Sequence, residues 1–139
     1  VTGSTHAGMI AGFAGQDRPR RVLGIDASDR IAETQTQVER IARRTANLID
    51  LGRDLRDDEI TVLAGWAGDA YGIPVASTLD AMRLTGRLEG VVLDPVYEGK
   101  SMAGLIDLVR DGRIPAGSTV LYAHPGGQPA LNAYSALFR

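Results

Sequence analysis

The sequence predicts an α/β fold, a parallel sheet with helices on both faces. Three observations predict it. Short apolar runs of strand length alternate with stretches of helical periodicity along the chain. Polar or glycine-rich loops follow the apolar runs. Glycine is abundant, 17 of 139 residues, as expected where turns are tight or backbone approaches a ligand closely.

Each element has its own signal. Met9–Ala14 is an apolar helix after a Gly/Ser/Thr-rich turn. Arg21–Asp26 has strand length and an apolar centre, Val22-Leu23-Gly24-Ile25. Ile31, Val38, Ile41, Ala42, Thr45, Leu48 and Ile49 recur at helical spacing, which predicts an amphipathic helix over 29–50. Ser28 or Asp29 is its expected N-cap, and Gly52 sits just past its end. Ile60–Leu63 reads as a second strand. Ser77–Leu88 reads as a helix, with Ser77 and Asp80 at capping-box spacing and Gly90 as its stop. Val91–Leu93 is a third short strand, Ser101–Arg110 a helix ended by Gly112, and Ser118–Ala123 a fourth strand. No repeat, low-complexity tract or linker interrupts the pattern.

Composition narrows the function. The net charge of −2 argues against a general nucleic-acid or membrane-surface binder, which would carry a basic patch. No apolar run approaches the ~18 residues of a membrane-spanning helix, and no secretory leader is expected at Val1. Cysteine is absent, so disulfides, thiol nucleophiles and thiolate metal sites are excluded within these residues, and a reducing compartment is permitted. His6 and His124 lie far apart in sequence without a carboxylate cluster at ligand spacing, so no metal site is expected.

Three loops carry the chemistry: Thr2–Gly8, Asp94–Lys100 and His124–Gln128. Open parallel sheets bind ligands at the carboxyl ends of their strands, so all three are expected along one edge. In Thr2-Gly3-Ser4-Thr5, small residues before a helix leave its first N–H groups free for an anion, with the Ser4 and Thr5 hydroxyls as further donors. An ordinary Ser/Thr N-cap would look the same. His6 reads as a helix-start residue whose backbone matters more than its ring. In Asp94-Pro95-Val96-Tyr97-Glu98-Gly99-Lys100, Glu98 could hold a cationic ring nitrogen and Tyr97 could relay a proton. A surface Tyr-Glu pair is the plain alternative. Lys100, in a first helical turn, is expected to be solvated. His124 is expected to make a structural hydrogen bond. The glycines after Pro125 could lie flat against a planar ligand, as could any glycine turn.

Together these stretches resemble one family. Val-Thr-Gly-Ser-Thr at 1–5, Ala-Gly at 7–8, Tyr-Gly-Ile-Pro at 71–74, Asp-Pro-Val-Tyr-Glu-Gly-Lys-Ser-Met at 94–102, Leu-Tyr-Ala-His at 121–124, Gly126-Gly127 and Pro-Ala-Leu-Asn at 129–132 look like the 1-aminocyclopropane-1-carboxylate (ACC) deaminases, in family order from end to end. Related D-cysteine desulfhydrases share Asp-Pro-Val-Tyr and Gly-Lys but usually carry a small hydroxyl residue where Glu98 stands.

The resemblance implies a tryptophan-synthase-β-like pyridoxal-phosphate enzyme of fold type II. Residues 1–139 would then form the C-terminal part of its large, cofactor-binding domain, with the Schiff-base lysine and the small domain upstream. It implies pyridoxal 5′-phosphate as cofactor, with its phosphate held by Val1, Thr2, Gly3, Ser4 and Thr5. Glu98 would contact the pyridine nitrogen and Pro125 would flank the ring. Tyr97 and Tyr71 would face the substrate and, with Glu98, form the catalytic set. The implied reaction opens the cyclopropane ring of ACC to give 2-oxobutanoate and ammonia. A small amino acid, a homo-oligomer and a cytoplasmic location complete the expectation. D-cysteine desulfhydrase is the alternative of the same fold. An inactive module binding a phosphate-bearing ligand is the alternative of another class, and residues 1–139 alone are expected to lack deaminase activity. Two departures bear on specificity. His6 replaces the glutamine expected in the deaminases, and Pro125 stands where they usually carry leucine.

Overall fold

The structure is a computed structural model, and it describes residues 2–18 and 20–138. It divides into two compact units, Val1–Ala64 and Gly65–Arg139.

The first unit contains helix α1 (Ser4–Ala14), strand β1 (Leu23–Ile25), helix α2 (Ile31–Leu48) and strand β2 (Thr61–Leu63). A short 3-10 turn at Asp57–Glu59 precedes β2. The strands pair in parallel, with Leu23 opposite Thr61 and Ile25 opposite Leu63. A parallel pair needs a crossover, and α2 supplies it. Ala7, Ile10 and Ala11 of α1 pack on Val38, Ala42 and Ala46 of α2, with Leu55 and Ile60 closing the core. The alanines let the two helices approach closely, and the lost contact with water stabilises the pair.

Two expectations change here. α1 starts at Ser4 rather than Met9, so His6 and Gly8 are helical. The N-cap of α2 is Arg30, not Ser28 or Asp29, with no side-chain cap, and Asp26 holds the turn that leads into it. Asp26 accepts from the N–H groups of Ser28 (3.2 Å) and Arg30 (3.0 Å) and from the hydroxyls of Ser28 (2.7 Å) and Thr34 (2.9 Å). Burial pushes its carboxyl up, but these four donors outweigh that and hold it below the usual range. Gly52 lies past the Ile49 C-cap, as expected, and is left-handed, φ 76°.

The second unit is built on helices α3 (Ala76–Glu89) and α4 (Glu98–Arg110), which pack together through Thr78, Ala81, Met82 and Thr85 on one and Ala103, Gly104 and Leu108 on the other. α3 is capped differently from the expectation. Val75 is the N-cap and its N–H donates to Thr78 Oγ1 (3.4 Å), while Asp80 pairs with Arg83 at the surface. Gly90 ends α3 in the left-handed region, φ 66°.

The expected strands Val91–Leu93 and Ser118–Ala123 do not form ladders among the described residues. Both segments lack a paired neighbour, and Val92 and Leu121 stand half or more exposed. The carbonyl of Val92 lies against a His124 side chain instead of a strand. A 3-10 segment, Gln128–Phe138, follows, with no sequence signal to anticipate it. Among the described residues, no helix is long and apolar enough to cross a membrane.

Candidate active site

In the first unit, Gly3 caps α1 in the left-handed region, φ 68°, and a Cβ there would lie 2.5 Å from Val38 Cγ2. No side chain caps the helix. The N–H groups of its first turn are therefore left for an external acceptor. Ser4 and Thr5 sit exposed in that turn, and Ser4 Oγ donates to Thr2 Oγ1 at 3.2 Å. Uncapped N–H groups, two hydroxyls and the positive end of the helix dipole form a cradle with the chemistry of a phosphate site. Val1 lies outside the described residues.

His6 plays no part in that cradle. Its ring lies against Gly24 of β1, and its Nε2 is buried without a hydrogen-bond partner among the described residues. Burial holds its pKa down at about 4, so the ring is neutral near pH 7.

The other two loops meet in the second unit, and Asp94 organises the first of them. This fully buried carboxylate accepts from the N–H groups of Val96 (2.7 Å), Tyr97 (2.9 Å) and Glu98 (3.0 Å), while its own carbonyl accepts from Gly99 N–H (2.8 Å). Four consecutive peptide units are thus fixed at the start of α4. The result puts Glu98 inward, 5% exposed, and leaves Tyr97 42% exposed.

Glu98 sits in a polar frame supplied by the 118–127 segment. The Tyr122 hydroxyl lies 3.0 Å from Glu98 Oε2, 2.8 Å from the Glu98 carbonyl and 2.6 Å from Ser101 Oγ. His124 Nδ1 lies 3.8 Å from Glu98 Oε1, and the Gly126 N–H favours the ionised carboxylate. Burial raises the Glu98 carboxyl above its ordinary range, and these neighbours offset only part of that. Burial likewise pushes the Tyr122 phenol well up. Pro125, exposed, lies between His124 and Gly126 in the same turn.

Tyr97 and Tyr71 join through their hydroxyls, with ring centroids 5.8 Å apart at 63°. The hydrogen bond with Tyr71 pushes the Tyr97 phenol up to about 12, so it keeps its proton. The loop carrying Tyr71 is held from several sides. Trp66 Nε1 donates to Asp107 Oδ2 at 2.8 Å, and Tyr134 donates to the Gly72 carbonyl at 2.7 Å. Lys100 is not solvated as expected. It is fully buried, with Nζ donating to the Ala67 carbonyl and lying 3.5 Å from that of Ala70. The structure therefore brings together Tyr71, Tyr97, Glu98 and the Pro125 turn. Sequence reasoning missed Tyr122 as a partner of Glu98. The spacing offered a signal, since Tyr122 and His124 are two apart in an extended stretch and share a face.

The family model for pyridoxal-phosphate-dependent enzymes matches residues 1–126. A solved crystal structure, of an ACC deaminase homologue, superposes with a TM-score of 0.85 at 26% identity over 99% of this chain and 41% of that one. The chain belongs to the pyridoxal-phosphate-dependent enzyme family. Among individual relatives, it is 61% identical over 139 residues to the ACC deaminase of Methylobacterium sp. (strain 4-46), 60% over 138 to that of Burkholderia multivorans and 58% over 139 to that of Pseudomonas syringae pv. tomato. The chain spans 41% of the length of each of these relatives.

Proposed function

We propose that this chain is the C-terminal part of the large domain of a pyridoxal-phosphate-dependent ACC deaminase. The observation that carries the reading is the framed, buried Glu98 beside the Tyr97–Tyr71 pair, in a chain about 60% identical to proteins of that name. Bound here, pyridoxal phosphate supplies the electron sink.

The chain's own residues do the rest. Ser4, Thr5 and the α1 N–H groups bind the phosphate, with Thr2 and Gly3 shaping the turn. Glu98 meets the pyridine nitrogen, and its charge favours a protonated ring by Coulomb attraction. Pro125 bounds the ring's position. ACC has no α-hydrogen, so the reaction opens a cyclopropane carbon–carbon bond, consumes one water and releases 2-oxobutanoate and ammonia. Tyr97, which keeps its proton to about pH 12, is the acid for the released carbon, and Tyr71 holds that phenol in place. Lys100 is committed to the Ala67 and Ala70 carbonyls, so we assign the Schiff-base lysine to upstream sequence. The same reading makes the whole enzyme a cytoplasmic homo-oligomer acting on a small amino acid.

Assay of the full-length protein with ACC and with D-cysteine tests the reading. 2-Oxobutanoate from ACC is expected. Sulfide from D-cysteine without 2-oxobutanoate from ACC would replace it with the desulfhydrase alternative.

A further inference from the structure

His124 Nε2 lies 3.0 Å from the Val92 carbonyl. A carbonyl can only accept, so Nε2 carries a hydrogen; the Gln128 side-chain amide lies farther from the same nitrogen, at 3.4 Å, and its two ends are interchangeable there. The other ring nitrogen, Nδ1, is buried without a hydrogen-bond partner among the described residues and faces Glu98 Oε1 at 3.8 Å. With a neutral ring and an ionised carboxylate, two lone pairs would confront each other away from water. One proton between them removes that conflict.

We propose that His124 and Glu98 hold one proton between them, and that His124 is the positioning residue that keeps Glu98 ionised. The partners of the carboxylate decide where the proton sits. The Tyr122 hydroxyl at Oε2 and the Gly126 N–H are both donors, and donors favour the anion. Ser101 Oγ, 2.6 Å from the Tyr122 oxygen and 3.1 Å from the Glu98 carbonyl, keeps the phenol directed at the Glu98 end of α4. From the loop before α4, Asp94 opposes the ionised form through its own negative charge. Within α4, the Lys100 ammonium is turned to the Ala67 and Ala70 carbonyls. His124 is the ring that faces the carboxylate, with Nδ1 3.8 Å from Oε1. The consequence for the cofactor rests on the function proposed above. The proton pair itself does not, because it needs only residues of this chain.

The test is a carboxyl-carbon NMR titration of Glu98 in the full-length apoprotein, for wild type, His124→Gln and His124→Leu. Glu98 is expected to protonate at higher pH in both variants, and the wild-type ring spectrum should show both His124 nitrogens protonated while Glu98 is ionised. If His124→Leu fails to fold, His124→Gln retains size and polarity and decides the matter. An unchanged Glu98 titration in a folded variant, or a bare Nδ1 beside an ionised Glu98, would overturn the proposal. Loss of ACC turnover is not the readout. A protein inactive on ACC that still shows the upward shift would support the pair and sink only the proposed function.

Discussion

Gly127 lies against the Asp94 carboxylate so closely that a Cβ on it would sit 2.3 Å from Asp94 Oδ2. Its φ is 104°, a conformation that residues with a Cβ rarely adopt. This contact links the turn after His124 to the anchor of the Tyr97–Glu98 turn. Gly127→Ala is therefore expected to cost about 1–3 kcal/mol through backbone strain. The collision with Asp94 should also loosen Glu98. Urea unfolding of the full-length protein, with the Glu98 carboxyl resonance as a local probe, checks both effects. Wild-type stability in the variant would show that the turn can move aside.

Glu98 and Tyr97 are expected to fail differently. A lost charge-assisted hydrogen bond is worth about 1.5–3 kcal/mol, roughly ten- to a hundredfold in rate if felt fully in the transition state. Glu98→Ser in the full-length enzyme should depress ACC ring opening more than β-elimination from D-cysteine, which has an α-proton and a good leaving group. Tyr97→Phe should depress ACC turnover while leaving the bound cofactor's spectrum nearly unchanged. Equal loss of both activities in Glu98→Ser, with cofactor retained, would remove its electronic role.

The Tyr71–Tyr97 pair predicts a spectroscopic change. Tyr71→Phe removes the hydrogen bond that holds the Tyr97 proton, so the Tyr97 phenol should move down from about 12 towards its ordinary 10.0. Ultraviolet difference titration at alkaline pH reads this directly. A Tyr97 titration that stays put would assign its shift to burial.

Lys100 ties the loop before Tyr71 to the first turn of α4. Lys100→Met keeps the stem and removes the ammonium, leaving the Ala67 and Ala70 carbonyls short of a donor. The expected loss is about 1–3 kcal/mol, the range for an unsatisfied buried polar group. Thermal unfolding measures it. A neutral outcome would show that water replaces the ammonium.

His6 makes stability depend on pH in the mildly acidic range. Its folded pKa, about 4, lies below the ordinary 6.5, so the unfolded chain binds the proton first. The stabilisation is complete above pH 6.5 and is lost as pH falls through about 4. The difference corresponds to roughly 3 kcal/mol. His6→Gln should flatten the stability profile between those values. Glu59 adds a second, lower window. The hydrogen bond from Arg53 holds its carboxyl down at about 2, so its contribution goes between about pH 4.5 and 2. A His6→Gln profile parallel to wild type would contradict the buried neutral ring.

The sequence by itself determined the helices and the chemistry-bearing turns. Periodicity placed α2, α3 and most of α4 within a few residues, because a helix satisfies its own backbone hydrogen bonds and its apolar stripe is written locally. The Asp94–Met102 motif pointed to Tyr97 and Glu98 for the same reason, since both hang on a local turn. Only the tertiary structure decided what depends on partners distant in sequence. The runs at 91–93 and 118–123 look like strands, but a strand exists only through a neighbour's ladder, and the Val92 carbonyl lies against His124 instead. Lys100 read as solvated because a lysine in a first helical turn usually is. Its burial depends on carbonyls thirty or more residues earlier. The environment of Glu98 was equally invisible, because burial raises its carboxyl and Tyr122, His124 and Gly126 offset part of that, and electrostatic environment follows distance in space rather than position in the chain.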